Sequence, residues 1–422
     1  MNRKRLRDHL QNLTLLLLTL SALFLLTRLP MLQNIRWTNR VQTFFGPDQS
    51  SGGGEEDALP AGMFSSVNLM VTGDSEYGRS GLLCVGADDA ELQSVLPLFR
   101  EALGSAGAAE AVPESVLRAA LAGPGFYLEL DGGVLPLEVV AAWLGEDQDF
   151  SIDLSAMALT VGEEDAVSLY LWSGTGEILR YATALPGSAV RPVCEDFPPN
   201  GAAFAYESAY AALTPYTILT APPGPLPGLL SELPAGYSAY NLLTALDFNA
   251  HTLSRYTESD GTEVVEESPR TLRISPDGAV SFTSRGGSGS PLYRASGEGL
   301  REMMAAAWRL ASALTAGTGA SPVCLRSVEE REEACVLRFR YQSEGVPIYF
   351  PDEGDALTIT CQAGQIVAFS YRCRVYRLAE EEPEAMLPAA LAQAIAASYP
   401  RSALSVGYED DGTGRLSAQW LR

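Results

Sequence analysis

"YNLLTALDFNAHTLSRYTESDGTEVVEESPRTLRISPDGAVSFTSR", residues 240–285, is the stretch whose pattern decides the fold. Its first residues carry a short helix. After them apolar and polar side chains alternate, and the alternation is broken at Asp260-Gly261 and Asp277-Gly278. Glycine at the second of two turn residues supplies the positive φ that a tight hairpin requires. The segment therefore reads as a helix leading into a small antiparallel meander.

The same alphabet continues downstream. A helix over 297–317 precedes "ACVLRFRYQSEGVPIYF" and "DALTITCQAGQIVAFSYRCRVYRL", strands that alternate across turns at Glu344-Gly345 and Ala363-Gly364. "PEAMLPAALAQAIAAS" is a further helix with Pro383 near its start, and "ALSVGYEDDGTGRLSAQWLR" is a closing hairpin. Upstream, "SVNLMVTG", "GLLCVGA", "GFYLELDGG", "AMALTVG", "AVSLYLWS" and "GEILRYATAL" read as strands. "DDAELQSVLPLFREALGSA", opened by acidic capping residues, and "ESVLRAALAG" read as helices. "TAPPGPLPGLLSELPAG" (220–236) holds five prolines and marks a boundary. Helices segregated from antiparallel strands define the α+β class.

Toward the amino terminus the chemistry changes. His9 to Thr27 are nineteen residues without formal charge, dominated by leucine. As a helix they would cover roughly 28 Å, close to the thickness of a bilayer's hydrocarbon core. Arg3, Lys4, Arg5 and Arg7 precede them against the single Asp8. The excess of positive charge sets the amino terminus in the cytoplasm and everything after the span outside. A cleavable signal would show a small-x-small site after the apolar core, and Thr27 to Leu32 offer none, so an uncleaved anchor is expected. "GPDQSSGGGEED" (46–57) is too polar to fold and reads as a tether.

The expected organisation is a basic cytoplasmic tail at 1–8, a transmembrane anchor at 9–32 and a tether at 33–62. An amino-terminal α+β domain then occupies 63–235, a central meander 236–295, and a carboxy-terminal α+β domain 296–422. The whole is an α+β chain with an N-terminal transmembrane helix and a multi-domain extracytoplasmic region of antiparallel sheets with segregated helices.

Charge excludes one class of partner. The chain has 29 Lys and Arg against 52 Asp and Glu, and seven of the basic residues but one acid fall in the first forty positions. The remaining 22 basic and 51 acidic residues give the outer part a net charge of −29, which repels nucleic acid. Six cysteines, none in a CxxC spacing, argue against a zinc ribbon or a thioredoxin-type site. Cys324 and Cys335 would face each other across a hairpin turning at Glu329 and Glu330, although two acids make a poor tight turn.

Catalytic chemistry has little to work with. His251 is the sole imidazole beyond the anchor, and its neighbours show no nucleophile signature. Lys4 is the only lysine, which excludes Ser-x-x-Lys, and no G-x-S-x-G occurs. The acid groups at 55–57, 329–333, 380–384 and 409–411 read as solvated loops and helix starts, not as a catalytic pair or an EF-hand. Trp172, Trp308 and Trp420 could stack on a sugar, but burial is the more frequent fate of aromatics in helices and strands. No cofactor, metal or catalytic residue is expected.

The order of parts resembles the YycH family and its relative YycI. The resemblance is carried by Asp260, Gly261, Leu272, Arg273, Ile274, Asp277, Gly278 and Phe282, and then by Phe339, Tyr341, Gly345, Pro347, Ile348, Phe350, Ile359, Gly364, Ile366 and Tyr371. It implies a non-enzymatic, membrane-anchored regulator of a sensor histidine kinase in a cell-wall two-component system. The partners it implies are that kinase, reached through the transmembrane helix, and a YycI-like sister protein, reached through the outer domains. Within the span Thr14, Thr19, Ser21, Ala22 and Thr27 are the small or polar residues that would allow close helix approach, although they could equally be tolerated passengers beside leucines that pack well. Part of the second sheet also resembles PepSY-type domains, which imply a binding or protease-inhibitory module merely tethered by the span. An enzyme acting on wall polymers is a third reading.

Overall fold

A computed structural model describes residues 59–421, apart from 74–77, 87–88, 131–132, 147–151, 209–212, 221–225, 250–253, 286–292, 298, 332–333, 353, 381–385, 388, 397 and 399–403. The anchor therefore lies outside the described residues, as do His251 and Pro383.

The first sheet collects β1 (Val67–Thr72), β2 (Arg79–Val85), β3 (Ala109–Ala111), β4 (Gly125–Leu130), β5 (Leu135–Pro136), β6 (Asp153–Val161), β7 (Ala166–Ser173) and β8 (Ile178–Pro186). Its order is β2-β1-β4-β6-β7-β8-β3, with β5 beside β6, and every pairing is antiparallel. Helices α1 (Ala90–Gly104), α2 (Glu114–Ala120), α3 (Leu137–Leu144) and α4 (Gly187–Glu195) are interleaved with these strands. All six residues of β1 are buried. The reason is that both faces of the sheet are covered. Leu69, Val71, Phe126 and Leu128 point into one apolar cluster with α1, α3 and α4, while Met70 and Tyr127 point into a second with Leu117 of α2. A strand covered on both faces reads as a continuous apolar run, as Leu69, Met70 and Val71 do, while the buried Asn68 donates to Glu129 at 3.2 Å and accepts the Cys84 amide at 3.0 Å.

The second cluster is closed by a short strand pair, β9 (Ala203–Phe204) with β10 (Ile218–Leu219). β11 (Leu229–Glu232) lies inside the proline-rich stretch. It is followed by α5 (Ala239–Ala245) and the meander β12 (Arg255–Thr257), β13 (Glu263–Glu267), β14 (Arg270–Ile274) and β15 (Ala279–Ser284). Gly261 and Gly278 take φ of +88° and +96°, as the turns require, and the Asp260 and Asp277 carboxylates each accept the backbone N–H two residues on.

α6 (Leu300–Thr318) then leads to β16 (Val323–Arg331), β17 (Ala334–Ser343), β18 (Val346–Tyr349), β19 (Leu357–Gln362) and β20 (Gln365–Arg372). β21 (Val375–Leu378), α7 (Ala389–Ala396), β22 (Ser405–Glu409), β23 (Arg415–Leu416) and β24 (Ala418–Leu421) complete the chain. Among the described residues the large sheet has eleven strands, ordered β12-β13-β14-β15-β20-β19-β17-β18-β22-β24, with β16 on β17. The meander thus joins the following strands edge to edge through β15 and β20. Only the β18 and β22 pair in this sheet is parallel among the described pairings. A small sheet, β21-β11-β23, brings the proline-rich stretch onto the carboxy-terminal region.

The residues that carry the family resemblance have physical jobs here. Leu272, Ile274, Phe282, Phe339, Tyr341, Ile359 and Tyr371 share one buried cluster, and the glycines sit in its turns. α6 buries Leu300, Met304, Ala307, Leu310, Ala311 and Leu314 at spacings of three and four, and ends at Gly319 in the left-handed conformation.

One expected hairpin is corrected. Glu330 stands opposite Cys335 and Arg331 opposite Ala334, so Glu329 and Glu330 are paired strand residues and not the turn, and Cys324 stands opposite Arg340. The one-residue register shift between Leu325 and Ser327 brings Cys324 only one position back toward Cys335, so the two stay apart. Glu329 and Glu330 stay extended, where Glu329 meets Arg331 and Arg338 at 2.9 and 3.3 Å.

Candidate functional site

The residues expected to act within the membrane, Thr14, Thr19, Ser21, Ala22 and Thr27, and the topology-setting Arg3, Lys4, Arg5 and Arg7 lie outside the described residues. No helix among the described residues is long and apolar enough to cross a membrane.

Among the described residues, buried polar groups work as joints. Asp410, one of the acids expected to be solvated, is 4% exposed. Its Oδ2 accepts Ser231 Oγ at 2.7 Å and the Tyr376 hydroxyl at 2.8 Å, its Oδ1 accepts the Gly412 amide at 3.1 Å, and Arg374 Nε stands 3.9 Å away. Ser231 belongs to β11 and Tyr376 to β21, so one carboxylate fastens the small sheet to the end of β22. A carboxylate with its acceptor sites filled this way is a structural tie. Burial, and then the Asp410 charge, push the Tyr376 phenol far above its ordinary value.

A second joint lies where Phe64 pairs with Leu325. Arg340, 3% exposed, donates from Nε to Ser65 Oγ at 3.0 Å, and Asp355 accepts Arg326 at 2.9 Å and Arg338 at 3.2 Å. The adjoining cleft, lined by Phe64, Leu135, Trp143 and Leu325 among others, holds about 20 Å³ of space, room for about one water and not for a substrate.

The third grouping is aromatic. Tyr127, Phe204, Tyr206, Tyr216 and Trp172 meet at centroid separations from 4.6 to 5.7 Å, and Arg118, held by Glu114 one turn earlier, lies 4.7 Å over Tyr206. Burial, with Glu207 adding to it, pushes the Tyr206 phenol up to about 12. Trp172 is absorbed in this cluster, Trp308 packs 6.5 Å from Phe339, and Trp420 donates to the Leu387 carbonyl at 2.9 Å. The three tryptophans are therefore spent in separate places and form no common stacking surface.

No group of three or more His, Cys, Asp or Glu side chains that could hold a metal occurs among the described residues. What the surface does offer is an apolar stripe. Leu387, Leu391 and Ile395, spaced by four along and just before α7, are 48%, 48% and 39% exposed, while Ala392 and Ala396 face inward. Spacing by four places such residues on one side of a helix. Sequence reading named this helix but could not tell which side stays uncovered.

These features define an α+β scaffold of two large, mostly antiparallel sheets, joined by buried polar ties and carrying an exposed apolar helix face. The fold is YycH-like. The crystal structure of YycH from Bacillus subtilis matches 86% of this chain and 94% of its own with a TM-score of 0.53 at 9% sequence identity. By sequence alone the chain matches no family model and no curated protein.

Proposed function

We propose that the chain is a membrane-anchored, non-enzymatic regulatory protein that adjusts a sensor histidine kinase of a cell-wall two-component system. The observation that carries this reading is the order of parts: an uncharged span behind a basic tail, followed by a YycH-like fold. The amino terminus is cytoplasmic and the bulk extracytoplasmic, with the boundaries proposed from the sequence, including the anchor at 9–32 and the tether at 33–62.

The span is the working element. Packing one more helix beside the kinase's own helices favours one of two signalling conformations, and only contacts that differ between those conformations can shift their populations. Thr14, Thr19, Ser21, Ala22 and Thr27 supply the close approach. The outer region binds a YycI-like sister protein and sets how the span is presented, and the Leu387, Leu391 and Ile395 stripe is the face we assign to that contact.

Replacing residues 9–29 with an unrelated apolar helix tests the reading. Phosphorylation of the kinase's response regulator in whole cells should then match that of cells lacking the protein. Unchanged phosphorylation would make the span a mere tether and leave the PepSY-type binding or inhibitory module as the better account.

A further inference from the structure

Cys335 and Cys361 stand directly opposite each other on β17 and β19. Opposed residues of an antiparallel pair project to the same face with Cα atoms about 4.5 or 5.5 Å apart, according to the hydrogen-bonding class of the site. Both separations fall inside the range of about 4.4–6.8 Å that a disulfide bridges. The same ladder sets Leu337 opposite Ile359 and Phe339 opposite Leu357, and all six side chains belong to one buried cluster. The other cysteines are engaged elsewhere. Cys84 donates to the Val406 carbonyl at 3.5 Å, Cys194 to that of Gly125 at 3.8 Å and Cys324 to that of Arg340 at 3.5 Å, while Cys373 lies beside the Thr318 and Tyr371 hydroxyls.

We propose that Cys335 and Cys361 are the site of a cross-strand disulfide that staples β17 to β19, formed by exchange with a small-molecule disulfide such as glutathione disulfide. The pairing follows from register alone. Only the supply of oxidant in the cell rests on the extracytoplasmic topology proposed above. One thiolate attacks the glutathione disulfide, forming a protein–glutathione mixed disulfide and releasing one glutathione. The second thiolate then attacks the protein sulfur and releases the other. Two protons leave, two electrons pass to the oxidant, and the S–S bond of the oxidant is exchanged for one within the protein.

The surroundings fix when this happens. Burial pushes both thiols up to about 12, so the folded protein holds almost no attacking thiolate. Exchange therefore belongs to the chain before β17 and β19 close, and the finished bond is shielded from reductant in the native state.

The test takes the full chain in detergent through denaturant with glutathione and glutathione disulfide, returns it to buffer, and confirms by a thermal scan that it has refolded. It is then alkylated with iodoacetamide under denaturing conditions and cut with trypsin. Arginines at 331, 338, 340 and 372 place Cys335 on peptide 332–338 and Cys361 on peptide 341–372, apart from every other cysteine. The expected result is these two peptides joined, the remaining four cysteines alkylated, and a thermal midpoint roughly 5 °C above that of the Cys335→Ser chain. Alkylation of both Cys335 and Cys361 in the refolded protein, or either one joined to another cysteine, would overturn the proposal.

Discussion

Gly345 lies against Cys84 so closely that a β-carbon on it would sit 2.1 Å from the Cys84 carbonyl oxygen. Both residues have positive φ, +83° for Gly345 and +56° for Cys84. The turn between β17 and β18 is thus pressed onto β2, where Cys84 also reaches the Val406 carbonyl of β22. A side chain at 345 is penalised twice, by the left-handed backbone and by the collision. Gly345→Ala should cost about 2–4 kcal/mol of stability, read as a lowered urea midpoint of the full chain in detergent. A loss under 0.5 kcal/mol would mean that the two sheets are not held together at this point.

Asp410 gives a second, independent prediction. Asp410→Ala strips the acceptor from Ser231 and Tyr376 in a buried setting and should cost about 3 kcal/mol. Tyr376→Phe removes one donor and should cost about 1 kcal/mol. In the double variant the costs should fall short of their sum, because the same bond is removed twice. Additive losses in thermal midpoints would show that the carboxylate and the phenol do not depend on each other.

The turn aspartates set the acid response. The backbone amide of Ala279, with Ser275 and Arg374 assisting, holds the Asp277 carboxyl below its ordinary value of 3.8, and Asp260 and Asp352 are lowered in the same direction by the Thr262 amide and by Arg372. A carboxyl lowered in the folded state contributes stability that is fully present above the unfolded value and lost as the pH falls through the folded one. The thermal midpoint should therefore drop as the pH is taken from 5 to 3, and Asp277→Ala should flatten part of that slope while costing about 0.5 kcal/mol at pH 7. An unchanged slope in the variant would remove Asp277 from the account.

The apolar stripe on α7 is predicted to matter for association and not for folding. Leu391→Glu with Ile395→Glu replaces exposed side chains by a good helix former, so the thermal midpoint should stay within about 1 °C. Recovery of the proposed YycI-like partner on the tagged chain should fall at least tenfold. Equal recovery would move the outer contact to another face.

Much of the sheet architecture was legible because its turns announce themselves. Asp260-Gly261, Asp277-Gly278, Glu344-Gly345 and Ala363-Gly364 all turn the chain where the glycines stand, with positive φ at each glycine. The Cys324 register was not legible, since the strands pair on past Glu329 and Glu330 to Arg331 and Ala334, and nothing in the local residue types records that extension or the one-residue shift between Leu325 and Ser327. β11 was hidden by the prolines around it, and it exists because residues 375–378 and 415–416 come from far along the chain to pair with it. Asp410 looked like one of many solvated acids. Its burial is set by Ser231 and Tyr376, 179 and 34 residues away. The anchor rests on charge and hydropathy alone and lies outside the described residues.

The central claim is that the span itself makes the contact with the kinase. The most direct measurement is purification of the tagged full chain from its own membranes in mild detergent, beside a copy whose residues 9–29 are an unrelated apolar helix, with co-purifying proteins identified by mass spectrometry. The account predicts a histidine kinase with the native span and none with the replacement. A kinase recovered equally with both, or an envelope protease or wall fragment and no kinase with either, would contradict it.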